Sequence, residues 1–217
     1  MERCFVYIDG YNFYYGIVNK RPEWKWLDFG KFCKSLRPFH EVWIRYFTAI
    51  IESDPTRKEN QRKYLAALGT IDRFEIIPGK FQVRIARCYA DCRQEFQEAK
   101  EKKTDVNIAV RMMHDCVNDT PDAIILISSD SDLEPVVHWI HKHYPKINIV
   151  VYLPNLPDER DRRRNDFYRT IGVDCMDLPC GRIPDSQFKT AVKIGKATFV
   201  QRPETWTKAI PPEEQNL

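Results

Sequence analysis

Apolar runs and amphipathic stretches alternate along this chain. Cys4 to Ile8 (CFVYI) is a short continuous apolar run and predicts a buried strand. Asp28 opens a helix over DFGKFCKSL that Pro38 ends, and Val42 to Ile51 (VWIRYFTAII) reads as a long strand. Pro55 opens a polar helix to about Leu68, with Leu65 and Leu68 on one face. Phe74 to Ile77 is a short strand, and Phe81 to Ile85 alternates like a strand or hairpin partner. Thr104 N-caps a helix to Val117, with Val106, Ala109, Val110, Met113 and Val117 at the spacing of a buried stripe. Asp122 to Ser128 (DAIILIS) is the clearest buried strand. A helix from Leu133 to His143 follows, with Leu133, Val136, Val137 and Ile140 inward. Lys146 to Leu153 is a strand, Asp161 to Ile171 a helix, and Val173 to Met176 a last strand.

Continuous apolar strands separated by helices imply an α/β fold whose mainly parallel sheet is covered on both faces. The rhythm fades after Pro179. Residues 1–178 therefore read as one domain and 179–217 as a proline-containing extension, with one short strand at Ala197 to Val200. The proline-rich stretch 201–212 either docks on a partner protomer, making a homodimer one expected assembly, or is a loose tail.

The chain of 217 residues is 43% hydrophobic, enough for a core, and no apolar stretch reaches the ~20 residues of a membrane span. The N-terminus lacks the pattern of a secretory signal. Seven cysteines without framework spacing read as reduced thiols, so the expected location is the cytoplasm. The net charge is only +3, but basic residues cluster at Arg57-Lys58, Arg62-Lys63, Lys100 to Lys103 and Arg160 to Arg164. Basic clusters beside acids at strand ends suit a polyanion held near an acidic metal site, although any one cluster is more often a solvated surface.

The acids carry the chemistry. Asp9 ends the first strand, Asp130 and Asp132 follow AIILIS in SSDSDLEP, and Asp105 lies in the first turn of the Thr104 helix. In an open parallel sheet, sites form beyond the carboxyl ends of the strands. If these segments are neighbours, their carboxylates raise one another's pKa unless a cation joins them, and a hard ion such as Mg²⁺ suits such oxygen donors. Taken alone, Asp9 reads as a turn residue and Asp105 as a helix-start acid. Cys88 and Cys92 lack the second pair that zinc needs, and Glu134, His138 and His141 read as surface. No Gly-x-Ser-x-Gly elbow or phosphate-binding Gly-rich loop occurs, which disfavours serine hydrolases and P-loop enzymes. Of the aromatics near the first acid, most read as core. Tyr14 or Trp24 beside a basic groove is the exception that would stack on a base.

Three blocks, YIDGYNFYYG (7–16), KKTDVNIAVRMMHD (102–115) and ILISSDSDLEPVV (125–137), resemble the NYN domain family of the PIN-like nuclease superfamily, which includes LabA-like (DUF88) proteins. The resemblance spans residues 3 to 177. It implies a PIN-like α/β/α sandwich and an Mg²⁺- or Mn²⁺-dependent ribonuclease acting on RNA, with Asp9, Asp105, Asp130 and Asp132 holding the ion. Asn12 would orient the ion or a phosphate, completing a catalytic set of Asp9, Asn12, Asp105, Asp130 and Asp132. Ser129, Arg111, Lys102, Lys103, Arg57, Arg62 and Arg162 are the expected substrate contacts. Many relatives have an acid where this chain has Arg111. That departure favours a non-catalytic RNA-binding module as the alternative, with Asp115 as a substitute acid. A small-molecule enzyme on the same scaffold is a further alternative, and it would show a deep apolar pocket rather than an open basic groove.

Overall fold

The computed structural model describes residues 2–37, 39, 41–52, 54–87, 95–155 and 164–207, and within 80–102 and 164–165 it describes the backbone alone. The expected strands form one six-stranded, all-parallel sheet: β1 (Arg3–Asp9), β2 (Glu41–Thr48), β3 (Phe74–Pro78), β6 (Ala123–Ile127), β7 (Asn148–Leu153) and β8 (Asp174–Asp177). Between β3 and β6 the chain makes an antiparallel hairpin, β4 (Lys80–Arg87) with β5 (Glu95–Lys102). The second arm of that hairpin carries no apolar alternation and escaped the sequence pattern. The sheet order is β3-β2-β1-β6-β7-β8. Successive strands therefore progress outward in one direction from β1 and in the other from β6. The boundary between β1 and β6 is the topological switch point, where crossovers diverge and leave a crevice.

Strand alternation sorts side chains into two layers. Cys4, Val6 and Ile8 of β1 enter one core with α1 (Gly10–Phe13), α2 (Phe29–Leu36) and α3 (Pro55–Leu68). Phe5 and Tyr7 enter the other with α4 (Thr104–Asn118), α5 (Glu134–His143) and α6 (Arg164–Thr170). Full burial of such a side chain stabilises by roughly 1.5–3 kcal/mol, so both faces contribute and a three-layer α/β/α sandwich results. Caps fix the helix starts: Asp28 accepts from Lys31 N at 3.1 Å and Asp54 from Arg57 N at 3.0 Å.

Three expectations change. On α4 the buried side chains are Ile108, Met112, Asp115 and Cys116, while Val106, Val110 and Val117 are more than 60% exposed, Met113 is exposed and Ala109 is only half-buried. Two stripes compete on this helix, and the one with fewer aliphatics is inside. The reason is Asp115. It is fully buried and accepts from Tyr7 Oη at 3.0 Å, Arg45 Nε at 3.4 Å and Arg111 Nε at 2.8 Å. A carboxylate so paired belongs in the interior, but apolar periodicity cannot register that. Strand β2 ends at Thr48 rather than Ile51, because the Gln61 amide takes over the backbone there, binding Ala49 O and Ile51 N at 2.8 Å each. The segment beyond Pro179 is also not simply extended. It forms a hairpin of β9 (Ala191–Lys193) and β10 (Phe199–Gln201), pairs Gln187 with Leu27, and lays Trp206 against Trp26 and Tyr64. Pro38, Cys88, Cys92 and residues 208–217 lie outside the described residues.

Candidate functional site

The VYIDGYNF stretch has a steric reading as well as a chemical one. A Cβ on Gly10 would stand 2.5 Å from Phe47 O, and one on Gly16 would stand 1.8 Å from Pro154 O. Only glycine lets the helix after β1 lie against β2 and the end of β7. That close approach turns the chain at Asp9, which becomes the N-cap of α1 at the switch point.

Asp9 is 1% exposed. Its Oδ1 accepts from Asn12 N at 3.0 Å, and its Oδ2 accepts from Asn12 Nδ2 at 2.8 Å and Ser128 Oγ at 3.0 Å. Ser128 Oγ also accepts from Asp130 N at 3.0 Å, and Asp130 Oδ1 from Asp132 N at 2.9 Å. One hydrogen-bonded chain thus links the end of β1 to the turn after β6. Ser129 N reaches Asn12 Oδ1 at 3.4 Å, and Ser129 Oγ donates to Asn155 Oδ1 at 3.3 Å.

A third segment joins them, since α4 packs against the turn after β6. Burial, and after it the charges of Asp130, Asp9 and Asp132, push the Asp105 carboxyl up to about 6. Asp9 is also pushed up, chiefly by burial, although its hydrogen bonds from Asn12 and Ser128 pull the other way. Carboxylates from β1, the start of α4 and the turn after β6 therefore share one field. The side of α4 that faces inward places Asp105 in line with Ile108, Met112 and Asp115, so the corrected register is the one that brings Asp105 toward the cleft. Asp9 lies at the base, Asp105 and Asp130 are half-buried, and Asp132 is on the rim.

The expected substrate contacts divide. Lys103 is exposed at the α4 N-cap with a left-handed backbone (φ 75°), two residues from Asp105. Arg62 is exposed on α3, and Arg57 Nη2 donates to Tyr14 Oη at 3.4 Å. Arg111 does not turn into the cleft. Its guanidinium binds both Glu75 oxygens, at 3.1 and 2.8 Å, and Asp115. Asp115 is therefore a structural partner of Arg45 and Arg111 rather than a replacement ligand. The Lys102 side chain and Arg162 are outside what the structure describes.

Sequence reasoning missed two contributors. Ser128 was read as the end of a strand, yet its hydroxyl is the link between Asp9 and Asp130. Asn155, just past β7, places its amide against Ser129, and its buried Nδ2 has no hydrogen-bond partner among the described residues. Its place one strand over from β6, at the carboxyl edge, is the signal that would have found it.

The donor set suits a hard cation in kind, being carboxylates, an amide and hydroxyls. Among the described residues, no group of three or more His, Cys, Asp or Glu side chains is arranged so that it could hold a metal ion. A hydrated ion that takes few protein ligands fits this arrangement better than a closed structural site. No helix among the described residues is long and apolar enough to cross a membrane.

Beside the acids, also at the carboxyl edge, lies a cavity of about 520 Å³. Gly10 and Tyr11 line it immediately after Asp9, and Thr48 and Ala49 line it at the end of β2. Tyr14, Trp24, Tyr64 and Trp206 make much of its wall, so the aromatics of the first block are divided between core and cavity.

Compared with known proteins, the NYN domain profile matches residues 3–175. Over 239 aligned residues the chain is 29% identical to 6-hydroxy-3-succinoylpyridine 3-monooxygenase HspA of Pseudomonas putida, covering 94% of this chain and 75% of that protein. A crystal structure of a protein of unknown function from Vibrio parahaemolyticus superposes with a TM-score of 0.50 at 22% identity, covering 81% of this chain and 91% of that one, a likeness of fold. N-carbamoylsarcosine amidase from Thermoplasma acidophilum reaches a TM-score of 0.33 at 14% identity, covering 82% of this chain and 98% of that one.

Proposed function

Because the chain belongs to the NYN domain family and has its nuclease-like fold, we propose that it hydrolyses RNA phosphodiesters with the help of a divalent cation. The single observation that carries this reading is the convergence of Asp9, Asp105, Asp130 and Asp132 at the switch point, where burial first, and after it the charges of the other three, push Asp105 up to about 6. Like charges that raise one another's pKa cost free energy that a cation recovers.

Asp9, Asp105, Asp130 and Asp132 would hold Mg²⁺ or Mn²⁺, largely through waters. The bound ion supplies Lewis acidity toward the phosphodiester and toward an attacking water. The protein's own residues set the stage. Asn12 and Ser128 hold the Asp9 carboxylate in one orientation, with its Oδ2 accepting from both. Ser129 and Asn155 form a polar wall next to Asn12. Lys103 offers positive charge to the phosphate backbone at the mouth, and Arg62 extends the basic surface. Arg111 neutralises Asp115 and Glu75 outside the cleft and leaves the acidic charge intact.

The test is cleavage of labelled single-stranded RNA with Mn²⁺ against an EDTA control. Products with Mn²⁺ alone support the reading. Retained binding without products in either condition would favour the non-catalytic module.

A second reading has its own support. The relative from P. putida is named for monooxygenation of a hydroxypyridine acid, and the structure has a partly open aromatic cavity next to the acids. A small-molecule oxygenase would need O₂ and a two-electron donor. Incubation with 6-hydroxy-3-succinoylpyridine, air and a reduced nicotinamide, followed by mass spectrometry, separates the readings by whether an oxygen atom enters the ring.

A further inference from the structure

The aromatic cavity has a composition that the hydrolytic reading does not use. Its walls include Tyr14, Trp24, Tyr46, Tyr64 and Trp206. These rings are braced from behind: Trp206 lies edge-on to Tyr64 and to Trp26, with centroids 5.9 and 6.1 Å apart. Such a wall offers flat faces to a flat ligand at little entropic cost. The volume of about 520 Å³ accommodates one aromatic ring or a fused pair with substituents, not a folded polymer.

Two cations, Lys25 and Arg57, line the cavity along with two carboxylates, Glu52 and Asp54. Lys25 Nζ and Arg57 Nη2 converge on a single neutral oxygen, Tyr14 Oη, at 3.3 and 3.4 Å. Lys25 also stands 5.1 Å from the Tyr14 ring centroid. Neither cation lies within salt-bridge distance of a carboxylate among the described residues. Of the two acids that line the same cavity, Glu52 pairs with Lys58, and Asp54 caps α3 through Arg57 N while its charge also acts on the Arg57 guanidinium. Two guanidinium- and ammonium-type donors around one phenol, next to stacked rings, form a receptor for an anion attached to a flat ring.

We infer that this cavity binds a planar aromatic ring bearing a carboxylate or phosphate, with Lys25 and Arg57 holding the anion and the Tyr14, Trp24 and Trp206 rings flanking the plane. The inference does not rest on hydrolysis at the acidic cleft. The same chemistry is offered by a nucleoside monophosphate and by a pyridine carboxylic acid, and the binding site opens beside Asp9 in either case.

The experiment is calorimetric titration of the full chain in EDTA with four probes: uridine 5′-monophosphate, uridine, nicotinate and nicotinamide. At least one anionic probe should bind about tenfold or more tightly than its neutral counterpart, a difference of about 1.4 kcal/mol. The pair that shows the difference identifies the source, nucleotide or aromatic acid. The double variant Lys25→Gln/Arg57→Gln should level that difference while leaving the neutral counterpart's affinity unchanged, and its melting temperature checks folding. Trp24→Ala should weaken both members of the pair. Asp130→Asn should leave all affinities as they were. Absence of saturable binding by every probe at millimolar concentration overturns the inference. So does equal affinity for charged and neutral forms, or an anion preference that survives the double variant. A ligand whose binding requires Asp130 sits in the cleft instead, and that outcome overturns the assignment without bearing on hydrolysis.

Discussion

Two depressions share the carboxyl edge of one parallel sheet, and they solve opposite electrostatic problems. The cleft between β1 and β6 is lined by Asp9, Asp105, Asp130 and Asp132, and burial, followed by the charges of its three neighbours, raises Asp105 to about 6. The cavity over β1 and β2 is walled by rings, and its mouth holds two cations that meet at a phenol. Asp9 and Gly10 are adjacent in sequence, yet Asp9 faces one depression and Gly10 the other. The cleft is held by hydrogen bonds between side chain and backbone, so its shape is fixed by the turns after β1 and β6. The cavity is held by ring packing that includes Trp206, some 140 residues away from Tyr64 along the chain. A cation completes the first and an anion on a flat ring completes the second.

The comparison can be broken most forcefully at the cleft. Replacing Asp130 by Asn should lower Mn²⁺-dependent RNA cleavage by about a hundredfold or more. The melting temperature should hold or rise, since a repelling charge is removed. A fall in cleavage that tracks a fall in folded protein would show that Asp130 serves structure only. Next in size is Trp206→Ala. Loss of this half-buried ring should cost about 2 kcal/mol, read as a drop of several degrees in melting temperature. RNA cleavage per folded molecule should persist, because the ring lines the cavity and not the cleft. Cleavage lost together with the ring would merge the two depressions into one site.

A third expectation follows from Asp105. Mn²⁺ binds the deprotonated carboxylate, so affinity should rise with pH, by up to about tenfold per unit below 6, and level off above it. Asp105→Asn should remove that inflection. The sign for folding is the reverse. A carboxyl whose pKa is higher in the folded state binds its proton more tightly there, so its contribution declines as pH rises from about 4 through 6. Metal-free protein should therefore lose stability across that window, and the Asn variant should lose less. The smallest effect belongs to Val110→Glu. This side chain is 61% exposed on the outer side of α4, so stability should change by no more than about 0.5 kcal/mol and cleavage should not change. A large loss would return Val110 to the interior and take Asp105 out of the cleft.

Much was legible in the chain by itself. Continuous apolar runs in CFVYI, AIILIS and KINIVVYL fixed buried parallel strands, because water excludes such runs whatever their neighbours. Strand-end position alone made Asp9 and Asp130 candidates, and the three family blocks pointed to the NYN fold that the profile matches over residues 3–175. Local chemistry also marked helix starts, at Asp28 and at Pro55.

Other properties arose only when distant residues met. The inward side of α4 depended on Tyr7 and Arg45, which lie far away along the chain and make a buried Asp115 tolerable. The role of Arg111 depended on Glu75, and Ser128 became a link only because Asp9 arrived beside it. The cavity was hidden for the same reason, since its wall is assembled from the first block, α3 and Trp206. Hydrophobic patterning is local and additive, so a sequence states it outright. Pairing of buried charge and closure of a cavity are relations between remote side chains, and they exist only in the folded chain.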